Sequence, residues 1–293
     1  MPKNLEQWPT TRYLTLNDGA ILAYTVLGEE KTDQLPLVLI CGMYMTKEDW
    51  RPFCDDLART RRVLIFDNRG IGHSRHPRRS SFFTLHTMAS DTIALIEHLA
   101  WRDVAILGFS MGGMVAQIIA SLDPPQFRLH HLILAATSCR LPSSRKAYHI
   151  GVRASLLFAA RGSFTREAAL RFAKEFLHLQ YTRSFVNRHP EIFNMRFASF
   201  TRRRRPIPTI FNQWRAIHDF NVASKLVELR VPTLIIHGTH DQMVAYEEGK
   251  RLAALIKGAN LHTVHRGGHM FFDHEPEIVA VINRSLRGDQ SKL

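Results

Sequence analysis

Gly108-Phe109-Ser110-Met111-Gly112-Gly113 is the stretch on which the fold of this chain turns. It follows the apolar run Val104-Ala105-Ile106-Leu107 and precedes Met114-Val115-Ala116-Gln117-Ile118-Ile119-Ala120. The order reads strand, sharp turn, helix, a context that pushes a serine side chain out of the backbone. Small neighbours are required because the backbone is crowded there. Gly108 and Gly112 stand two residues to either side of Ser110, and Gly113 lets the following helix pack closely. A serine hydroxyl is a poor nucleophile until a neighbouring base takes its proton. The competing reading is a glycine-rich structural turn with an incidental serine.

Outward from the turn, the N-terminal half alternates strand-like and helix-like segments, the signature of a parallel sheet with helical crossovers. Strands are predicted over residues 12–16 and 20–27, joined by a hairpin turn at Asn17-Asp18-Gly19. A buried strand over 35–40 feeds the loop that starts at Cys41-Gly42. A helix is expected over 47–58, a strand over 62–66, a helix over 85–99 and a strand over 132–136. From about Cys139 to Glu228 the alternation stops, and only amphipathic helical pattern is present. That segment is rich in aromatic residues: Phe158, Phe164, Phe172, Phe176, Phe193, Phe197, Phe200, Phe211 and Trp214. They read either as packing beneath a helical subdomain or as the walls of an apolar pocket. Strand pattern resumes over 231–236, followed by a helix over 247–256 and a strand over 260–264. A last helix has Pro276 near its first turn and Ile278, Val279, Ile282 and Leu286 as its inner face. The reading is one α/β core, residues 1–138 and 230–293, interrupted by a helical insertion at 139–229.

Composition narrows the class. At 293 residues, with 45% hydrophobic and 22% charged, the chain can bury a sizeable core. Its apolar runs are too short to span a bilayer, and the polar start lacks the apolar stretch of a secretory signal. Cys41, Cys54 and Cys139 are widely spaced and odd in number, which argues against a disulfide framework and a structural zinc. The last three residues, Ser291-Lys292-Leu293, form a peroxisomal address, read by an import receptor when the end is free. A net charge of +13 admits an anionic partner. The sharpest basic run, Arg202-Arg203-Arg204-Arg205, reads as a solvated face. Neither an aromatic-interleaved RNA motif nor zinc-finger spacing accompanies it, so nucleic acid is not expected.

Over nearly its whole length the sequence resembles the α/β-hydrolase family. His237-Gly238-Thr239-His240-Asp241 is similar to the family's HGxxD, Gly268-His269 ahead of Glu275 and Pro276 to its GHxxxxExP, and Asp67-Asn68-Arg69-Gly70-Ile71-Gly72-His73-Ser74 to its DxRGxGxS loop. The resemblance implies a mostly parallel eight-stranded sheet flanked by helices, with a helical cap corresponding to the insertion. It implies Ser110 as nucleophile, Asp241 as the acid and His269 as the base, in the order serine, acid, histidine. His237 and His240 are read as structural. An oxyanion hole needs two backbone N–H donors; they are assigned to Met111, after the nucleophile, and to Met43 in the loop after the third strand. Cys41 stands where many members have histidine, a departure that backbone donation tolerates. The histidines lack HExxH or comparable ligand spacing, so neither a metal nor a cofactor is indicated.

Serine at the nucleophile position argues against epoxide hydrolase and haloalkane dehalogenase chemistry, where members of the family use aspartate. The leading expectation is a peroxisomal hydrolase of a carboxylic ester or thioester with an apolar acyl group. Lactone hydrolysis, carbon–carbon cleavage in diketones, cofactor-free perhydrolysis and a role in a fungal secondary-metabolite pathway stay open. A non-catalytic, hydrolase-like binding protein is the alternative of a different class.

Overall fold

Parallel strands covered on both faces need continuous apolar runs, and the centre of this chain supplies them. The computed structural model describes residues 9–77, 82–122, 124, 126–141, 166–273 and 277–288. Its strands are β1 (Arg12–Thr15), β2 (Ile21–Leu27), β3 (Leu37–Ile40), β4 (Val63–Phe66), β5 (Asp103–Phe109), β6 (Arg128–Ala135), β7 (Thr233–Gly238) and β8 (Asn260–Val264). They form one sheet in the order β1-β2-β4-β3-β5-β6-β7-β8. β2 runs antiparallel to both of its neighbours; from β4 across to β8 every pairing is parallel. Every residue of β3 and β4 is buried.

Side chains alternate between the two faces of a strand, so each face acquires its own core. Val38, Ile106, Leu134 and Ile235 point to the face covered by α2 (Leu85–His98), α3 (Met111–Leu122) and α9 (Tyr246–Leu255). Leu39, Ile65, Leu107, Ile133 and Ile236 point to the face covered by α1 (Phe53–Ala58) and α10 (Glu277–Leu286). The buried stripe of α10 is Ile278, Val281 and Ile282, with Val279 and Leu286 half-buried on its flanks. The sequence reading omitted Val281; it lies three residues from Ile278 on the same helix face.

Between β6 and β7 the chain forms α4 (Arg166–Gln180), α5 (Arg183–Arg188), α6 (Pro190–Arg202), α7 (Ile207–His218) and the short α8 (Ala223–Leu226). Tyr181, Phe185 and Phe193 from this segment join the buried cluster beneath it. Phe158, Phe164, Pro276 and the C-terminal Ser291, Lys292 and Leu293 lie outside the described residues.

One expected helix is two elements. Lys47–Trp50 is a 3₁₀ turn and α1 begins only at Phe53. Pro52 lies between them; it has no N–H to give a helix and biases the preceding residue to extended backbone. Arg51 accordingly sits at φ −75°, ψ 145°.

The sheet order locates the site. The chain leaves β3 in one direction to build β4, then crosses back to lay β5 on β3's other side. At such a switch point the loops from the carboxyl ends of the two strands diverge and leave a crevice. Here they are the loop that starts at Cys41 and the turn at Ser110.

Candidate active site

The turn after β5 is tight enough to impose its own sequence. Ser110 has φ +54°, a left-handed conformation uncommon for a residue with a side chain. It is held there by its N–H donating to Ala135 O at 2.9 Å and by its carbonyl accepting from Thr137 Oγ1 at 2.7 Å. A Cβ on Gly108 would lie 2.3 Å from Gly112 O, and one on Gly112 would lie 2.2 Å from Ile40 O. Only hydrogen fits at either place. Met111 opens α3, so its N–H has no intrahelical acceptor.

Asp241 and His269 meet across the ends of β7 and β8. His269 Nδ1 lies 2.7 Å from Asp241 Oδ2. The other carboxylate oxygen accepts the N–H groups of Met243 at 2.8 Å and Val244 at 2.9 Å. The Asp241 side chain is wholly buried. Burial opposes its ionisation, but His269 and the bonds from His237 and His269 outweigh it and hold the carboxyl well below the usual range. The ring of His269 is buried, with its centroid 4.8 Å from that of Phe109.

His237 does more than end a strand. Its Nε2 lies 3.0 Å from Val244 O and 3.4 Å from Asp241 Oδ2. Both are acceptors, so the proton sits on Nε2 and this ring is a further donor aimed at the carboxylate. The only hint in the sequence was its four-residue spacing from Asp241, which does not distinguish a partner from a neighbour.

Ser110 and His269 share a cavity of about 630 Å³ under the helical segment. Met43 and Met111 also line it, and among the described residues the Met43 N–H meets no acceptor. Phe176, Phe200, Phe211 and Trp214 form part of its wall. Phe193 instead packs inward, and Phe172 packs on Tyr44. Asp49 is the carboxylate among the described lining residues, and it is occupied: Arg205 lies 2.6 Å from it and Ser199 Oγ 2.7 Å.

The basic run is solvated only in part, at Arg202 and Arg204. Arg203, half-buried, turns toward Glu48 and Asp49 at 3.8 and 3.5 Å. Arg204 donates to Gly70 O and Ser74 O at 3.2 and 3.3 Å, and Arg205 lies against Asp49. Acceptors some 130–160 positions away decide these orientations, and no local pattern carries them.

The loop after β4 is scaffolding. Asp67 accepts the N–H groups of Lys47 at 2.7 Å and His73 at 2.8 Å, while Arg69 grips both carboxylate oxygens of Asp91 and reaches Asp18 at 2.8 Å. Among the described residues one trio, Glu48, Asp67 and His73, has metal-ligand reach. Lys47 supplies the cation there: its buried Nζ lies 3.6 Å from Asp67 and 3.3 Å from His73 Nδ1, and bonds Glu48. Cys41 is fully buried with its Sγ 3.4 Å from Phe66 O. Burial, reinforced by Asp67 and Asp49, pushes its thiol well above the ordinary value, so it is no nucleophile.

Residues 36–276 match the family model described as the alpha/beta hydrolase fold. The chain belongs to the alpha/beta hydrolase fold family. It is a hydrolase of that fold. It is 27% identical to a proline iminopeptidase of Lactobacillus helveticus over 277 residues, covering 90% of this chain and 93% of the relative. A hydrolase from Pseudomonas aeruginosa PA01 superposes with a TM-score of 0.81 at 28% identity, covering 95% of this chain and 98% of the other. An enol-lactonase from Burkholderia xenovorans LB400 shares the fold at TM-score 0.80 and 23% identity, over 94% of this chain and 100% of its own. Among the described residues no helix is long and apolar enough to cross a membrane.

Proposed function

We propose that the protein is a serine hydrolase that cleaves a carboxylic ester or thioester with an apolar acyl group, and that it works in the peroxisome. The observation that carries the reading is a buried His269–Asp241 pair sharing one apolar-walled cavity with a serine on a strained turn. Ser110 Oγ attacks the carbonyl carbon and passes its proton to His269 Nε2. Asp241 keeps the other ring proton on Nδ1 and steadies the imidazolium. The N–H groups of Met43 and Met111 donate to the developing oxyanion. Collapse of the tetrahedral intermediate expels the alcohol or thiol, which takes the proton from His269. Water then repeats the sequence on the acyl-enzyme and releases the acid.

Electrostatics favours an acyl ester over the iminopeptidase substrate of the Lactobacillus relative. An iminopeptidase substrate carries a protonated amine, and an unpaired cation in an apolar cavity is strongly disfavoured. The lining carboxylate, Asp49, is already bound by Arg205, and Arg196 is paired with Asp273, which leaves Arg215 as the lining guanidinium with no carboxylate partner among the described residues. A neutral or anionic substrate fits that balance. Residues 139–229 act as the cap that shapes the acyl pocket. The peroxisomal assignment rests on Ser291-Lys292-Leu293.

The test is a screen of esters and thioesters graded by acyl length, with Ser110→Ala alongside. Turnover that falls on the order of 10³-fold or more in the variant is expected; an undiminished Ser110→Ala sinks the reading. For the compartment, a fluorescent fusion on the N-terminal side should collect in peroxisomes and scatter once the last three residues are removed. Identical distributions would refute the address.

A further inference from the structure

Two arginine-run features stay unused by the reaction above: the inward turn of Arg205, and its meeting with Tyr44, the residue after Met43. Met45 N–H returns to Gly42 O at 3.3 Å, closing a four-residue turn with Met43 and Tyr44 at its centre. Tyr44 has φ +67°. At the third position of a turn that backbone suits glycine, and for a bulky residue the turn with its central peptide reversed is intrinsically easier. Something outside the turn must therefore hold it.

The helical segment does so at three points. Gln213 Oε1 on α7 accepts the Tyr44 N–H at 3.1 Å. Arg205 Nε donates to the Tyr44 carbonyl at 2.7 Å. Trp214 Nε1 donates to the Tyr44 hydroxyl at 3.0 Å. Arg205 is itself fixed: its other nitrogens donate to Ser199 O at 3.1 Å, Phe200 O at 2.8 Å and Asp49 Oδ2 at 2.6 Å. Asp49 Oδ2 in turn accepts the Thr46 N–H at 2.8 Å, one residue beyond the turn. Both peptide groups of Tyr44 are thus pinned by fully or nearly buried side chains.

We propose that Gln213 and Arg205 are positioning residues, which hold the Gly42–Met45 turn so that the Met43 N–H faces the cavity as an oxyanion donor. The inference rests on the serine hydrolase reading and adds to it a cause. The helical segment completes the catalytic geometry as well as walling the pocket. Neither residue touches the reacting carbonyl; each acts through the turn.

The experiment compares kcat, KM and inhibition by a boronic acid that forms a tetrahedral adduct with a serine. Deleting an oxyanion donor outright costs on the order of 10²–10³ in kcat. Loosening one should cost less, about 10–100-fold. Gln213→Leu is expected to lose kcat by that factor with KM within about threefold, and to weaken the boronate by a similar factor. Gln213 Nε2 meets no acceptor among the described residues, so Gln213→Glu keeps the one bond that matters and should recover most of kcat. Arg205→Lys keeps a charge for Asp49 but not the fork that also reaches Tyr44 O, and should lose kcat like Gln213→Leu. Arg204→Met, which releases Gly70 and Ser74 only, should lower Tm and leave kcat alone.

A folded Gln213→Leu or Arg205→Lys with wild-type kcat and boronate affinity overturns the proposal. So does an equal loss in Gln213→Leu and Gln213→Glu, which would mark a packing role. If Gln213→Leu fails to fold, Arg205→Lys and Gln213→Glu decide by the same readings. Activity surviving in Ser110→Ala would instead defeat the hydrolase reading beneath.

Discussion

Replacing Asp241 by asparagine removes one charge and almost no volume, so its effect can be worked from hydrogen-bond directions. One carboxylate oxygen accepts two backbone N–H groups, from Met243 and Val244; the other faces His269 Nδ1 and His237 Nε2. Every group aimed at this side chain is a donor, and asparagine offers one oxygen and one NH₂. If the NH₂ faces the backbone pair, two buried N–H groups lose their acceptor. If it faces His269, that ring must present a lone pair at Nδ1 and carry its proton on Nε2. It then cannot take the serine proton. The first orientation costs about 2–6 kcal/mol of stability, about 1–3 for each stranded N–H, and the second stops proton transfer while keeping the fold. Facing the rings, the NH₂ still donates to the retautomerised His269 and gives up only the 3.4 Å contact with His237, which keeps Val244 O, so the second orientation should dominate. The expected loss in kcat/KM is on the order of 10³–10⁴, with a fall in Tm of at most about 2–6 °C. Ester turnover and a thermal melt on the same preparation check both. A variant that retains more than a tenth of wild-type kcat/KM would refute the assignment of Asp241 as the group that fixes the His269 tautomer.

Gly112→Ala puts a methyl 2.2 Å from Ile40 O, so β3 and α3 must part; denaturant unfolding should register a loss of about 1–3 kcal/mol. Asp49 is buried, which opposes its ionisation, yet Arg205 and Arg196 hold its carboxyl below the usual range. Stability from a depressed carboxyl is present above its unfolded value, about 3.9, and is lost as pH falls through the folded one. The Tm gap between wild type and Arg205→Met should therefore be constant near neutrality and shrink below about pH 4. A gap that persists to pH 2 contradicts the pairing. Finally, a proline ester with a free amine should be hydrolysed about 100-fold less efficiently than the same ester with its amine acetylated, and comparable kcat/KM values would reverse the electrostatic argument.

What the sequence made legible was whatever backbone crowding or strand periodicity writes locally. The elbow could be read because glycines at 108 and 112 are the only residues that fit against Gly112 O and Ile40 O. The central strands could be read because they are short apolar runs, buried from end to end at β3 and β4. The pairing of Asp241 with His269 came from resemblance, since 28 residues separate them and no periodicity links the two. Local reading failed where partners are distant. Arg203, Arg204 and Arg205 read as part of a solvated run until Asp49, Gly70 and Tyr44 arrive from far along the chain. Pro52 was visible and its consequence was missed: a break in the apolar pattern between Trp50 and Phe53 too short to disturb the count. The second donor to Asp241, His237, was hidden in plain sight on a strand whose end it also forms.

The most direct measurement of the central claim is the site of the covalent intermediate. The protein should be mixed with an activated acyl ester, acid-quenched within the first turnover, digested and sequenced by mass spectrometry. The expected result is a single acyl adduct on the peptide containing Ser110, present in wild type, absent in Ser110→Ala and accumulating more slowly in Asp241→Asn. An adduct on another residue, or steady hydrolysis with no adduct on Ser110 at any quench time, would contradict the account.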